Sequence, residues 1–351
     1  MSKTIKLGIS IGDTNGVGLE VILKSFNDKR ILNFCTPIVF GDYNLAKDTI
    51  KQLELEDINL NKIQSINESK LKKLNVLNCW KETLVPNYGN LENGGKYALK
   101  SLQKACQALQ NGSIDVLVTA PINKENIQSD SFKFPGHTEF LEQQFEGQAL
   151  MLMLNEELRI GLVTGHLPIE QVSKHITQEL ILQKLESFNH SLIQDFGIRK
   201  PKIAVLALNP HAGDNGLLGQ EEEKTIIPAL QKAEDKGLLA FGPYPADGFF
   251  GSNQLKAFDG VLAMYHDQGL VPFKTLSFGN GVNFTSGLSV VRTSPDHGTA
   301  FDIAGKNIAS ESSFIQAIYT ACGIYIKRQE WQELNSNILP SQPKKEKSRE
   351  R

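Results

Sequence analysis

The chain has 351 residues, of which 40% are hydrophobic and 22% charged, and its formal net charge is −2. Its length predicts about two domains, while the weak net charge and the lack of a long apolar run or a signal-peptide pattern argue against nucleic acid and membranes as partners. The four scattered cysteines lack CxxC spacing, so we expect reduced thiols in the cytoplasm, with small molecules or other subunits as partners.

Elements of the first half alternate between short β-rich runs and helical patterns, which is typical of a parallel sheet covered by helices. Strands are predicted at residues 5–11, 36–40, 74–77 and 114–119, and helices at 19–24 and 91–110. The glycine turn GDTNGVG stands between the first strand and the first helix. A tight turn that needs glycine explains it at least as well as an anion site on backbone N–H groups.

The second half continues this alternation, with strands predicted at 158–164, 202–208 and 259–265 and helices at 180–196, 221–236 and 310–327. The glycine-rich stretch 278–305 predicts loops and short strands that shape a pocket. The last residues, PSQPKKEKSRER, are highly charged and lack an apolar anchor, so they predict a disordered tail.

One histidine stands just past each of the three later strands: His166, His211 and His266. In an open α/β sheet, the carboxyl edge of the strands is where ligands bind. Each histidine taken alone is more often a structural residue than a ligand, but the repeated placement favours a common site. Three neutral imidazoles suit Zn²⁺ or a similar divalent ion with one position left open for substrate.

Other polar residues stand near these histidines in the sequence. Asp247 and Asp267 could complete the coordination shell, orient an imidazole or transfer a proton, and simple turn chemistry would also explain them. In the stretch FPGHTEF, His137 and Thr138 could hydrogen-bond a ligand. The alternative for Thr138 is a role as a helix N-cap.

Two basic residues, Lys274 and Arg292, each follow or interrupt an apolar run. A bare charge is costly there unless it meets an anion. With Asn283 between them, the two cations could clamp a phosphate or a carboxylate. The alternative for either cation alone is a structural ion pair with an Asp or Glu.

With these segments assembled, the chain closely resembles the 4-hydroxythreonine-4-phosphate dehydrogenase family of pyridoxal phosphate biosynthesis. The matching stretches include TAPINKE, FPGHTEF, TGHLPIEQV, LALNPHAGDNGLLGQEE, GVLAMYHDQGLVPFK and VRTSPDHGTAFDIAG, and all matches together span residues 9–305. The resemblance implies an α/β, isocitrate/isopropylmalate dehydrogenase-like fold of two α/β/α domains with a cleft between them. Residues 1–125 and 275–335 would form the first domain, 126–274 the second domain with the metal ligands and dimer contacts, and 336–351 the tail.

The implied activity is the NAD-dependent oxidation and decarboxylation of 4-phosphooxy-L-threonine to 3-amino-2-oxopropyl phosphate, assisted by a divalent metal. NADP is the alternative cofactor, and Zn²⁺ is the first choice of metal, followed by Co²⁺ and Mg²⁺. The enzyme would be a homodimer whose active site is shared between subunits. No standard dinucleotide fingerprint is present, so the sequence does not locate the cofactor-binding residues.

The resemblance also assigns roles to residues. It implies that the metal is held by His166, His211 and His266, and that the substrate is bound by His137, Thr138, Lys274, Asn283 and Arg292. A proton donor is still required, and its unranked candidates are Asp247, Asp267 and Lys274. The main departure is Thr14-Asn15, where family members usually have Pro-Ala.

Three other functions fit the same residues. A dehydrogenase of 4-phospho-D-threonate or 4-phospho-D-erythronate would differ only around C2 of the substrate. A metal-dependent hydrolase or phosphatase would need no nicotinamide. The metal could also stabilise a dimer without any catalytic role.

Overall fold

A computed structural model of the chain describes residues 4–55, 57–130 and 132–336, and the predicted tail beyond residue 336 lies outside these ranges. The strands are β1 (Ile5–Ser10), β2 (Cys35–Gly41), β3 (Leu60–Ile63), β4 (Leu74–Asn78), β5 (Val116–Thr119), β6 (Gly147–Leu154), β7 (Arg159–Leu162), β8 (Lys202–Leu206), β9 (Leu239–Tyr244), β10 (Gly260–Ala263), β11 (Val282–Leu288) and β12 (Arg292–Pro295). The α-helices are α1 (Gly18–Ser25), α2 (Tyr43–Gln52), α3 (Gly94–Gln110), α4 (His137–Gln144), α5 (Ile169–His175), α6 (Gln178–Gln194), α7 (Ile227–Asp235), α8 (Ala246–Phe250), α9 (His266–Ser277) and α10 (Ser312–Ser336). Among the described residues, no helix is both long and apolar enough to span a membrane.

In the described ranges the strands form one sheet in the order β3-β4-β2-β1-β5-β12-β11-β6-β7-β10-β8-β9. Neighbours are parallel except at three consecutive pairs, where β11 runs antiparallel to β12 and to β6, and β6 runs antiparallel to β7. The strands β5 and β10 are buried at every residue, as expected for parallel strands covered on both faces. The five strands from residues 147–263 form one end of this sheet. The predicted domain boundaries stay a prediction.

Each predicted strand and helix is present, although α10 runs on to Ser336. Several others were not predicted, and α9 matters most because it begins at the third histidine. Gly269 and Pro272 interrupt its helical pattern in the sequence. A Cβ at Gly269 would lie only 2.8 Å from Leu162 Cδ2, so the glycine lets α9 pack closely against β7.

A buried ion pair joins Arg328 of α10 to Asp195, which directly follows α6. Arg328 Nε donates to Asp195 Oδ1 at 2.6 Å, and the two side chains are 7% and 1% exposed. Arg328 Nη1 also donates to the Leu288 carbonyl at 3.0 Å, and Ser191 Oγ donates to the second carboxylate oxygen at 2.6 Å. The network therefore ties α10 and α6 to the end of β11.

Replacing Arg328 with Met is expected to lower the free energy of unfolding by about 3–5 kcal/mol, because Asp195 then stays buried without a counter-charge. The matched control is Lys327→Met, which removes the exposed pair with Glu330 on the same helix and should lower it by at most about 1 kcal/mol. Urea denaturation followed by circular dichroism measures both values. Equal losses would contradict the role given to the buried pair.

Candidate active site

The three histidines predicted to share one edge of the sheet do so. The central strand β10 pairs in parallel with β7 on one side and with β8 on the other. His166, His211 and His266 follow these three strands at their carboxyl ends, and His266 is the first residue of α9. The strand order places His266 between the other two along the edge.

His166 and His266 form a close pair, with ring centroids 5.5 Å apart. His266 Nδ1 lies 2.7 Å from Asp267 Oδ1, and His166 Nδ1 lies 3.7 Å from Glu139 Oε1. A carboxylate that faces Nδ1 fixes the tautomer in which Nε2 is free to bind a metal. Lys124 Nζ donates to His166 Nε2 at 3.2 Å. The lone pair of this nitrogen therefore already faces a positively charged group, in the direction from which a metal ion would bind. The chemistry of both rings therefore fits a divalent metal.

His211 stands on an unusual backbone turn. Six consecutive residues, 211–216, have positive φ angles of 52°, 52°, 79°, 44°, 53° and 87°. In this left-handed region a residue with a side chain costs about 1–2 kcal/mol, although Asp and Asn tolerate it better. Such a turn persists only where its surroundings hold it, and strain of this kind is concentrated at functional sites.

An open groove of about 830 Å³ beside α9 contains His211 together with Asp247 and Asp267. We call it the α9 groove, and its apolar wall includes Phe250 and Val271. In the described part of the chain, no group of three or more His, Cys, Asp or Glu side chains could hold a metal ion. A single chain thus brings two of the predicted ligands together and presents the third separately, in this groove.

Arg292, the first residue of β12, is a buried cation that is only 2% exposed. Its Nε and Nη2 donate to Thr119 Oγ1 at 3.1 and 2.6 Å, and its Nη1 donates to Thr285 Oγ1 at 3.0 Å. Among the described residues no carboxylate oxygen lies within 4.0 Å of the guanidinium. Burial lowers the pKa of Arg292 to about 10. A structural ion pair is therefore the wrong interpretation for Arg292, and its charge is available to an anion.

Two more of the predicted substrate residues have a buried polar atom that finds no hydrogen-bond partner among the described residues, namely Asn283 Oδ1 and His137 Nε2. Asn283 lies opposite Ser294 across the β11–β12 pair, so its side chain shares a sheet face with Arg292. His137 is the first residue of α4, whose N-cap is Gly136. The interpretation of Thr138 as the N-cap is therefore wrong.

His137 is held neutral. Burial first, and then the positive charges of Arg292 and Lys124, keep the pKa of His137 well below its ordinary value. The pKa of Glu139 is lowered, chiefly by its contact with His166. Around His137 there are thus two cations, Arg292 and Lys124, and one carboxylate, Glu139. This excess of positive charge favours an anionic ligand.

The depressed pKa of His137 predicts a pH-dependent stability. Below about pH 6.5 the unfolded chain takes up a proton at this residue before the folded chain does. As the pH falls further, the free energy of unfolding decreases by up to about 1.4 kcal/mol per pH unit, until the pH reaches the lower pKa that His137 has in the folded chain. Urea denaturation between pH 7 and pH 5 should therefore show a steeper loss for the wild type than for His137→Gln. His175→Gln, at an exposed histidine, should track the wild type, and parallel curves for both variants would contradict the prediction.

Lys274 is exposed on α9, and within the described residues its ammonium makes no hydrogen bond or ion pair. Burial therefore does not demand an anion there, contrary to the prediction. The residues that the sequence patterns did not indicate are Lys124 and Glu139, which contact His166. Lys124 directly follows the motif TAPIN, and Glu139 directly follows FPGHT. Closeness to these motifs is the only sequence signal that could have indicated the two residues.

The glycine turn after β1 is a packed structural turn. Gly12 has a φ of +69°, and a Cβ there would lie 2.3 Å from the Pro121 carbonyl oxygen. Residues 11–22 are all buried. The side chain of Asn15, in the pair that departs from the family, hydrogen-bonds three backbone groups of the 87–92 loop at 2.7, 2.9 and 3.0 Å. The tight-turn interpretation is therefore favoured over an anion site.

The chain has the isocitrate/isopropylmalate dehydrogenase-like fold of the 4-hydroxythreonine-4-phosphate dehydrogenases that it matches, which places it among the oxidoreductases. The family described as "Pyridoxal phosphate biosynthetic protein PdxA" matches residues 33–321. The 4-hydroxythreonine-4-phosphate dehydrogenase of Bacteroides thetaiotaomicron is 49% identical over 341 residues, which are 96% of this chain and 93% of that protein. The D-threonate 4-phosphate dehydrogenase of Cupriavidus necator is 38% identical over 328 residues, 92% of this chain and 98% of that protein. The crystal structure of 4-hydroxythreonine-4-phosphate dehydrogenase from Klebsiella pneumoniae matches with a TM-score of 0.79 and 32% identity, over 92% of this chain and all of that one (100%).

The chain therefore belongs to the pyridoxal phosphate biosynthetic protein PdxA family. The sequence-based expectations of family and fold class are confirmed.

Proposed function

We propose that this chain is an NAD-dependent, divalent-metal-assisted dehydrogenase that converts 4-phosphooxy-L-threonine to 3-amino-2-oxopropyl phosphate and CO₂ in vitamin B6 biosynthesis. The observation that carries the proposal is the buried charge of Arg292, which has no carboxylate oxygen of the described residues within 4.0 Å. A substrate with a phosphate and a carboxylate supplies the missing anion. The 49% identity with the Bacteroides enzyme favours the amino-acid phosphate, and the 38% identity with a D-threonate 4-phosphate dehydrogenase keeps the hydroxy-acid phosphates as the alternative.

In this proposal the residues of the chain bind and orient the substrate. Arg292 and Asn283 hold an anionic group, and neutral His137 exchanges hydrogen bonds without adding charge. His166, His211 and His266 would hold the metal, Zn²⁺ first, with Co²⁺ or Mg²⁺ as alternatives. When bound, the metal supplies Lewis acidity at the C3 oxygen, and NAD⁺ or NADP⁺ takes up the electrons of the oxidation.

The proton donor is proposed from the same three candidates. Asp267 is hydrogen-bonded to His266, which supports an orienting role for this carboxylate. Asp247 also lines the α9 groove with His211, which supports it as a candidate for proton transfer to a ligand there. Lys274 stays a candidate for both proton transfer and substrate binding.

The cytoplasmic location also stays a prediction.

The enzyme is further proposed to be a homodimer with a shared site. Exposed apolar side chains beside the α9 groove support a second copy as the partner, since Val271, Leu276 and Phe278 are 62%, 42% and 86% exposed. Co-expression of His166→Ala and His211→Ala subunits tests the sharing. If the ligands come from different subunits, random mixing leaves about a quarter of the sites intact. A mixture as inactive as each variant alone would overturn the shared site.

The decisive assay follows NADH absorbance with 4-phosphooxy-L-threonine, 4-phospho-D-threonate and 4-phospho-D-erythronate in parallel. The expected result is NADH formation with the largest kcat/KM for 4-phosphooxy-L-threonine. A larger value for a hydroxy-acid phosphate would reassign the substrate. Release of phosphate without NADH would favour the hydrolase, and a metal-dependent dimer without turnover would favour the structural role.

A further inference from the structure

One buried carboxylate, Glu222, is bonded to the segment that carries His211. Glu222 is 2% exposed. Its Oε1 accepts hydrogen bonds from the backbone N–H groups of Leu208 and Asn209, both at 2.8 Å. Its Oε2 accepts one from Asn209 Nδ2 at 2.9 Å. Among the described residues no cation lies within 4.0 Å of this carboxylate, so its polar contacts are directed to the segment between β8 and His211.

The same carboxylate also touches the middle of the left-handed turn. A Cβ at Gly213 would lie 2.7 Å from Glu222 Oε2, so only glycine fits between the turn and this acid. Glu222 is also the first residue of a π-helical turn, Glu222–Ile226, and π-helical turns occur frequently at functional sites. Glu222 therefore contacts the chain on both sides of His211.

We propose that Glu222 is a positioning residue that fixes the orientation of His211 as a metal ligand. The inference rests on the proposed function, in which His211 binds the metal. Six positive φ angles in a row are unfavourable for a free loop. Because Glu222 holds residues before His211 and packs against Gly213 after it, loss of the carboxylate lets the turn relax and moves the imidazole.

The test is a titration of the apoprotein with Co²⁺, followed by its visible absorption. Glu222→Ala is expected to raise the Kd for Co²⁺ about 10–100-fold, the usual effect of removing an outer-shell partner, and to change the spectrum. Glu222→Gln should have a smaller effect, because its amide oxygen can still accept the two backbone N–H groups. The matched control is Glu234→Gln, at an exposed residue of α7, which should leave the Kd within about twofold of the wild type.

His211→Ala in the same titration separates the metal role of His211 from the positioning role of Glu222. If His211→Ala binds Co²⁺ as tightly as the wild type, the metal role in the proposed function fails. If His211→Ala weakens binding while Glu222→Ala leaves both Kd and spectrum unchanged, the positioning role is overturned and the proposed function stands. Should Glu222→Ala fail to fold, Glu222→Gln decides, because its amide NH2 group cannot accept the hydrogen bond that Asn209 Nδ2 donates to Glu222 Oε2, and an unchanged Kd and spectrum in that folded variant overturns the inference.

Discussion

Arg292→Met is expected to lower kcat/KM for the phosphorylated substrate about 10²–10³-fold, without a comparable loss of stability. The substrate anion would lose its buried charged partner, and truncation of such a partner costs about 2–5 kcal/mol of binding. Stability should change by no more than about 1 kcal/mol, because burial of the guanidinium costs desolvation energy and, among the described residues, no carboxylate oxygen within 4.0 Å offsets that cost in the free protein. Within the described part of the chain, only its bonds to the hydroxyls of Thr119 and Thr285 are lost.

Two further variants sharpen this prediction. Arg292→Lys keeps a charge but loses the planar fork, so an intermediate kcat/KM is expected. Arg159→Met is the matched control, because Arg159 stacks on the Phe196 ring at 4.7 Å at the far end of β7 from the site. Steady-state kinetics and urea denaturation measure the two effects. A large loss of stability with normal kinetics would show that Arg292 serves the fold rather than the substrate.

The histidine edge was predictable because its cause is local. Each apolar run predicted a strand, and each histidine stood directly after its run, so a common edge followed from the parallel arrangement. The order of those strands was not predictable. It depends on crossover connections and on pairing between distant segments, and it places His266 rather than His211 beside His166.

The two cations show where sequence patterns succeed and fail. The apolar run before Arg292 predicted a buried charge there, and the structure buries it because β12 lies in the middle of the sheet, where a side chain has no path to water. The same logic was wrong for Lys274, because Gly269 and Pro272 concealed the helix α9. Once a segment is helical, a lysine within an apolar run can lie on the solvent face. Whether Arg292 or Lys274 is buried therefore depends on the secondary structure around the residue, and not only on apolar neighbours in the sequence.

The contacts of Lys124 and Glu139 with His166 were beyond any local pattern. Lys124 follows β5 and Glu139 lies in the first turn of α4, while His166 follows β7. These elements meet only through the assembled sheet. The left-handed turn at His211 was equally hidden, because Ala212 has no intrinsic preference for positive φ. Such local disagreement between sequence and backbone is expected at functional sites.

His166→Ala is expected to raise the Kd for Co²⁺ at least about 10³-fold, well beyond the 10–100-fold effect of losing an outer-shell partner, and to reduce kcat accordingly. The variant removes one of the two imidazoles that the chain holds 5.5 Å apart. It also removes the main cause of the lowered pKa of Glu139, so the pKa of that carboxyl should rise toward its ordinary value. NMR titration of the Glu139 side chain measures this second effect without any metal.

The control for this variant is His175→Ala, at the end of α5. Among the described residues its exposed ring hydrogen-bonds only the Gln171 carbonyl, at 2.8 Å. Neither the Kd for Co²⁺ nor kcat should change in that variant. An unchanged Kd in His166→Ala would mean that the pair with His266 is not part of a metal centre. A raised pKa of Glu139 in that same variant would then leave the imidazole with an electrostatic role, as the partner that keeps this carboxylate ionised beside Arg292 and Lys124.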